Sequence, residues 1–208
     1  MSLKTFVKIS NINNLSDARY CAGMYVNLMG FSLEENNKNF ISPEKFKEIT
    51  DWLSGLEYVA EFEESHPDTI LEIVKAYPEI NYLEIQEEIH LKMLVNSSFG
   101  LILKCKVEDL DTIDDLISKS KSYADFGVTV HLVSDTLELD EATSLKIKEL
   151  AEKCQVLLGF GLDASTIEEV LGKTKVKGIS LEGGDEIKPG LKDFDELADI
   201  LEVLELED

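Results

Sequence analysis

Val7-Lys8-Ile9-Ser10-Asn11-Ile12-Asn13 is the stretch whose reading decides the fold of this chain. The run Thr5–Ile9 reads as a first strand, and the residues after it separate the two architectures open to a chain of alternating strands and helices. An open doubly wound sheet wants a glycine-rich turn after its first strand, so that backbone can approach a bound phosphate closely. Ser10-Asn11-Ile12-Asn13 contains no glycine. The alternative is a closed barrel, and the rest of the chain supplies its repeats. Further strands are expected at Tyr25–Phe31, Tyr58–Phe62, Tyr82–Ile85, Leu101–Lys104, Val128–Val133, Val156–Leu158 and Lys177–Ser180. Helical spacing fills the gaps between them. Pro43–Leu53 carries Phe46, Ile49, Trp52 and Leu53 on one face, behind Ser42 as N-cap and Pro43 in the first turn. Asp68–Ala76, Glu108–Lys119, Ala142–Lys153, Ser165–Leu171 and Asp193–Leu204 share the same pattern. Eight strands, six of them followed by a helical pattern, spell an α/β fold, a single (β/α)8 TIM barrel over residues 1–208.

Composition narrows the function. A chain of 208 residues with 44% hydrophobic content suits one such barrel and its core. The longest apolar runs, Phe99–Leu103 and Val156–Leu158, are far shorter than a membrane span, and no basic-then-apolar leader opens the chain, so a cytoplasmic location is expected. Cys21, Cys105 and Cys154 are widely spaced, odd in number and without a Cys-x-x-Cys pair, which reads as core thiols rather than disulfides or a metal site. No cofactor is expected. The net charge of −22 repels nucleic acid and anionic lipid alike and keeps the surface solvated. Oligomeric state is not legible.

In a barrel of this kind the active site lies at the C-terminal ends of the strands. The positions to inspect are Ser10, Phe31–Asn39, Glu61–Glu63, Glu84–Gln86, Lys104, Asp135, Gly159–Gly161 and Ser180–Gly184. Lys8-Ile9-Ser10-Asn11-Ile12 resembles the Lys-Ile-Cys-Gly-Ile of the phosphoribosylanthranilate isomerase family. Asn39-Phe40-Ile41-Ser42-Pro43-Glu44 resembles its Arg-Tyr-Val-Ser-Pro-Glu, and Leu132-Val133-Ser134-Asp135-Thr136 its Leu-Leu-Leu-Asp-Thr. Gly159-Phe160-Gly161-Leu162 and Pro189-Gly190-Leu191-Lys192-Asp193 resemble its Gly-Gly-Leu and Pro-Gly-Val-Lys-Asp. Their order and spacing extend the resemblance over nearly the whole chain.

The resemblance implies an aldose–ketose isomerisation, the Amadori rearrangement of an N-aryl phosphoribosylamine in tryptophan biosynthesis. It needs an acid on the ribose ring oxygen and a base for the C2 proton. By the same resemblance Asp135 stands at the acid position, at the expected end of strand six; read alone, it is equally a helix cap. Ser10 stands at the cysteine of the general base, and a serine hydroxyl without a partner base stays protonated at physiological pH. Asn39 replaces the arginine that pairs with the substrate carboxylate, and Glu84 stands where the family has a histidine. Glycines at 159, 161, 183 and 184 imply a cradle for a phosphorylated, sugar-like ligand, with Ser165 and Glu168 as a capping box; they also fit ordinary tight turns. Glu61 and Glu84 face either the mouth or a solvated rim. His131, four residues before Asp135, falls about 13 Å down the strand, too deep to assist Ser10. His66 and His90 read as solvated. Read this way, the chain is an isomerase-like protein of doubtful turnover, with a non-catalytic or repurposed barrel, binding a ligand or protein at the same mouth, as the alternative. A third option pairs Glu61 or Glu84 with Asp135 in different acid–base chemistry.

Overall fold

A computed structural model describes residues 2–183, 186–188 and 191–206, with backbone only for 186–188 and 191–192. Eight parallel strands close into a barrel in sequence order: β1 Phe6–Ser10, β2 Leu28–Ser32, β3 Glu57–Glu61, β4 Ile80–Ile85, β5 Gly100–Lys106, β6 Thr129–Val133, β7 Gln155–Leu158 and β8 Gly178–Glu182. β1 pairs with both β2 and β8, which leaves the barrel no free edge. The helices α1 Leu15–Gly23, α2 Pro43–Thr50, α3 Pro67–Ile73, α4 Leu91–Leu94, α5 Leu110–Asp125, α6 Glu141–Ala151, α7 Ile167–Thr174 and α8 Asp195–Leu204 complete the (β/α)8 TIM barrel. Among the described residues no helix is long and apolar enough to cross a membrane.

The alternation of side chains along each strand sorts the residues. Val7, Ile9, Met29, Phe31, Leu83 and Leu132 belong to the main buried cluster, which also takes in helix residues such as Phe46 and Ile147. Their neighbours in sequence fill the barrel itself. Leu28, Val59 and Ile102, joined by Phe6 and Tyr82, form a separate apolar plug toward the N-terminal ends of the strands. Cys21 and Cys154 are buried and Cys105 half-buried, all three unbonded, and burial pushes the thiols of Cys21 and Cys105 up to about 12.

Several boundaries differ from the sequence-based expectation for identifiable reasons. β2 begins at Leu28, because Tyr25 sits exposed in a left-handed turn with φ +58° that ends the α1 connection. Helices α1 and α4 occupy gaps that periodicity leaves blank: α1 starts after Asn14, whose side chain accepts from Asp17 N, and α4 is a single turn. Ser42 caps α2 with Pro43 behind it, as expected. Ser165 does not cap α7. The helix starts at Ile167 after Thr166, and the Asp163 carboxylate accepts from both the backbone N–H and the hydroxyl of Ser165. A short antiparallel pair, β9 Glu186–Lys188 with β10 Leu191–Lys192, lies outside the barrel sheet.

Candidate active site

Above the apolar plug, toward the C-terminal ends of the strands, the barrel interior turns polar. Lys8 of β1 is fully buried, with Nζ 2.5 Å from Glu61 Oε1 of β3, 3.2 Å from Glu84 Oε2 of β4 and 2.6 Å from the Ser10 hydroxyl. Glu84 Oε2 also lies 2.9 Å from His131 Nδ1 of β6. The second oxygen of Glu61 accepts from the backbone N–H of Asn11, at 3.0 Å, where the chain leaves β1 in a left-handed turn of φ +56°. Two glycines, Gly30 in β2 and Gly159 just past the end of β7, make room for these groups. A Cβ at Gly30 would lie 2.0 Å from Glu61 Oε1, and one at Gly159 would lie 2.7 Å from His131 Nε2.

Burial acts against every charge in this cluster, and the charges answer one another. Desolvation alone would lower the Lys8 ammonium pKa, but Glu61 and then Glu84 outweigh it and hold the pKa above the ordinary lysine value. Desolvation likewise pushes the Glu84 carboxyl up, and Lys8 and His131 more than reverse it, leaving it well below the usual carboxylate range. Both groups are therefore ionised at neutral pH.

The residues singled out from sequence divide into those that meet and those that do not. Ser10, buried at the end of β1, shares the mouth with Glu84 and approaches the Ser180 hydroxyl of β8 at 3.4 Å. Glu61 and Glu84 are buried inside the barrel rather than on its rim. Asn39 is buried in the loop after β2, where Asn13 Nδ2 donates to its Oδ1 at 3.4 Å. Asp135 is the correction. β6 ends at Val133, so Asp135 lies past the strand in a turn, its side chain 75% exposed and 2.6 Å from Lys106 Nζ. That hydrogen bond, reinforced by the lysine's charge, lowers the Asp135 pKa, opposite to what a proton donor needs. It does not cap α6 either, since Asp140 does.

The glycine cradle is also changed. The Gly159 N–H is committed to Leu132 O at 2.8 Å, and the N–H groups at the start of α7 are taken by Asp163, through its side chain for Ser165 and its carbonyl for Thr166 and Ile167. Gly161 holds φ +65°, a turn that glycine adopts without strain. Gly183 is half-buried after β8, beside Glu182, whose carboxylate accepts from Asn11 Nδ2 at 2.7 Å. Gly184 lies outside the described residues.

Sequence reasoning misplaces His131, because it measures depth from Asp135, two residues beyond the Val133 at which the expected strand ends. The histidine sits only two residues before the true end of β6 and inside the mouth network. The sequence weighs Lys8 only as a cation that, with Lys104, offsets the carboxylates of the mouth, whereas the structure makes it the hub of the cluster. The signal that finds both is period two: Val128, Val130 and Leu132 are apolar, which assigns Thr129 and His131 to the opposite, inner face, and Val7 and Ile9 do the same for Lys8. His66 caps α3 and packs edge-on against His90, far in the chain from this cluster. Among the described residues no group of His, Cys, Asp and Glu is arranged to hold a metal ion.

No family model matches the chain. Curated sequences do. N-(5'-phosphoribosyl)anthranilate isomerase of Chlorobium phaeobacteroides is 24% identical over 207 residues, covering 92% of this chain and 93% of that protein. The phosphoribosyl anthranilate isomerase of Thermotoga maritima superposes with a TM-score of 0.78 at 20% identity, over 96% of this chain and 98% of that one. A phosphoribosyl anthranilate isomerase in complex with reduced 1-(o-carboxyphenylamino)-1-deoxyribulose 5-phosphate gives a TM-score of 0.77 at 20% identity over the same shares. At that identity the structures establish the barrel, and the sequence match over nine-tenths of the chain adds the lineage: this protein is a relative of the N-(5'-phosphoribosyl)anthranilate isomerases.

Proposed function

We propose that this chain is a phosphoribosylanthranilate isomerase-like barrel whose mouth receives a small sugar-like ligand but which no longer isomerises phosphoribosylanthranilate by a paired acid and base at residues 135 and 10. The observation that carries this reading is the state of Ser10. Its nearest polar neighbour is the Lys8 ammonium at 2.6 Å, which is held protonated by Glu61 and Glu84 and so donates to the hydroxyl. A protonated amine cannot accept the serine proton, so nothing here turns the hydroxyl into a base. Two further facts support it. Asp135 is exposed, ion-paired and of lowered pKa, and Asn39 offers a neutral amide where a substrate carboxylate would want a charge-assisted fork.

The competing reading is full retention of the isomerisation, favoured by the uniform naming of the curated relatives. Complementation decides between them. Expressed as soluble protein in a tryptophan auxotroph lacking this isomerase, the chain is expected to give no growth, and Ser10→Cys is expected to raise whatever turnover of phosphoribosylanthranilate the purified protein shows. Growth with the unaltered chain would overturn the proposal.

A further inference from the structure

The end of the barrel opposite the mouth carries a cleft of about 770 Å³, lined by Lys4 and Phe6 where the chain enters β1, Tyr25 and Asn27 before β2, and Lys175 and Lys177 before β8. No acidic residue lines it, in a chain of net charge −22. The clefts beside α2 are the opposite case, with Glu34 and Glu35 in one and Glu44, Asp51 and Glu79 in the other. Two carboxylates bear on the lysines from outside. Glu168 of α7 lies 2.7 Å from Lys4 Nζ, and the charge of Glu57 acts on Lys177, whose ammonium donates to Gln155 Oε1 at 2.8 Å and lies 4.7 Å from the centre of the Phe6 ring. Lys175 is exposed, and among the described residues its ammonium makes no hydrogen bond or salt bridge. Asn27 adds a donor. The Val7 N–H can only donate, so the amide atom 2.8 Å from it is Oδ1 and the uncommitted end is the NH2 group.

Backbone conformation sets this cleft apart as well. Among the described residues three non-glycine positions are left-handed, and two of them, Tyr25 at φ +58° and Lys175 at φ +56°, line the cleft. Lys175 closes α7 with its N–H on Leu171 O at 3.2 Å, a place where glycine ends a helix at the least cost. The fold alone favours glycine at 175, yet the side chain there is the cation of the cleft that no carboxylate answers. Lys4 stands ahead of β1, and Lys175 and Lys177 stand ahead of β8, which pairs with β1, so the three charges border one space. Ammonium groups are point charges suited to phosphate oxygens, whereas a carboxylate is held best by the fork of an arginine, and Arg19, the only arginine of the chain, lies over Trp52. The negative field of the rest of the chain is screened beyond about 8–10 Å at physiological salt, so the nearby lysines decide what enters. We propose that this cleft is a second ligand site, at the N-terminal end of the barrel, which holds a chain of phosphates, free or carried by a nucleotide, between Lys4, Lys175 and Lys177.

The test titrates the full chain with sodium pyrophosphate, ADP and adenosine at constant ionic strength and follows backbone amide shifts. Pyrophosphate is expected to bind with a Kd below about 1 mM, moving the amides of Phe6, Asn27 and Lys177 while those of Ser10 and Gly159 stay in place. Tighter binding of ADP than of pyrophosphate assigns the site to nucleotides, and equal or weaker binding assigns it to the free anion. Lys175→Met is expected to weaken pyrophosphate binding about tenfold, whereas Lys106→Met, which removes the same charge at the C-terminal end of β5, changes it less than about twofold. Lys175→Gly separates binding from folding: it is expected to weaken binding as much while raising the urea midpoint, since glycine adopts φ +56° without strain. Unchanged binding in Lys175→Met, equal weakening in Lys106→Met, or no saturation by about 10 mM pyrophosphate would overturn the proposal. So would shifts at the mouth in place of the cleft, or adenosine binding as tightly as ADP.

Discussion

Lys8 and Lys106 each hold a carboxylate within hydrogen-bonding distance, at 2.5 Å and 2.6 Å, on strands of the same barrel. The Lys8 side chain is wholly buried and its partners Glu61 and Glu84 nearly so, whereas Lys106 and Asp135 are 58% and 75% exposed. The chemistry is the same and the surroundings are not. Water screens the outer pair, so its geometry carries little energy, while the inner cluster has no solvent to fall back on and each charge depends on the others. Removing one member of each set separates the two regimes. Lys8→Met leaves buried carboxylates without their cation and is expected to destabilise the fold by about 3–5 kcal/mol, whereas Lys106→Met should leave the unfolding midpoint where it is in the wild type. Urea unfolding of both variants measures the contrast; a Lys8→Met midpoint close to wild type would show that the cluster is not what organises the mouth.

The pH dependence sharpens the same comparison. Glu84 has a folded-state pKa lowered, against burial, by Lys8 and His131, so its contribution to stability is complete above the unfolded carboxylate pKa of about 4.3 and is lost as pH falls through the folded value. Lys8 has a raised pKa, so its contribution is complete below the unfolded value of about 10.4 and is lost as pH rises through the folded one. The cluster therefore supports the fold across the range between. Urea midpoints from pH 3 to pH 7 are expected to rise more steeply in the wild type than in Glu84→Gln. Equal slopes would mean that Glu84 is not ionised against Lys8 in solution.

Much of this contrast is legible in the sequence, though not at the residue that resemblance points to. The strands can be placed because β-branched runs alternate with helical periodicity, and the missing glycine turn after Ile9 excludes the open sheet. Ser10, Asn39, Glu61 and Glu84 all fall in or beside the mouth, since each lies at the C-terminal end of a strand or just beyond one. Asp135 is assigned by its flanking Leu132-Val133-Ser134, and a motif says nothing of where a strand's hydrogen bonding ends. β6 stops at Val133, as its apolar alternation predicts, so Asp135, two residues beyond, lies on the exposed rim and His131 reaches the mouth. No sequence signal could show that Gly159 gives its N–H to Leu132 O, because that bond is fixed by the pairing of β6 with β7.

The position of Asp135 gives the third test. An exposed carboxylate paired with one exposed lysine is expected to tolerate Asp135→Asn with no shift of the urea midpoint. A marked fall of the midpoint would mean that Asp135 packs into the mouth rather than standing exposed beside Lys106.

The smallest expected effect lies at the β8 rim, where charge and geometry nearly balance. Gly183 comes directly after Glu182, an exposed carboxylate tied to Asn11 Nδ2, and Asp163 already occupies the first N–H groups of α7. An anion arriving at these loops meets few free donors and at least two carboxylates. Helix-end dipoles favour it by at most about 1 kcal/mol and the nearby charges oppose it by a similar amount, which places wild-type phosphate affinity in the millimolar range. Glu182→Gly removes one opposing charge together with its bond to Asn11. Because that charge is exposed and screened, the gain is limited to about 0.5–1 kcal/mol, or a two- to fivefold tighter Kd for inorganic phosphate read from amide shifts. Unchanged affinity in the variant would mean that Glu182 faces Asn11 and solvent rather than the anion, and micromolar binding by the wild type would mean that donors outside these two loops build the phosphate site.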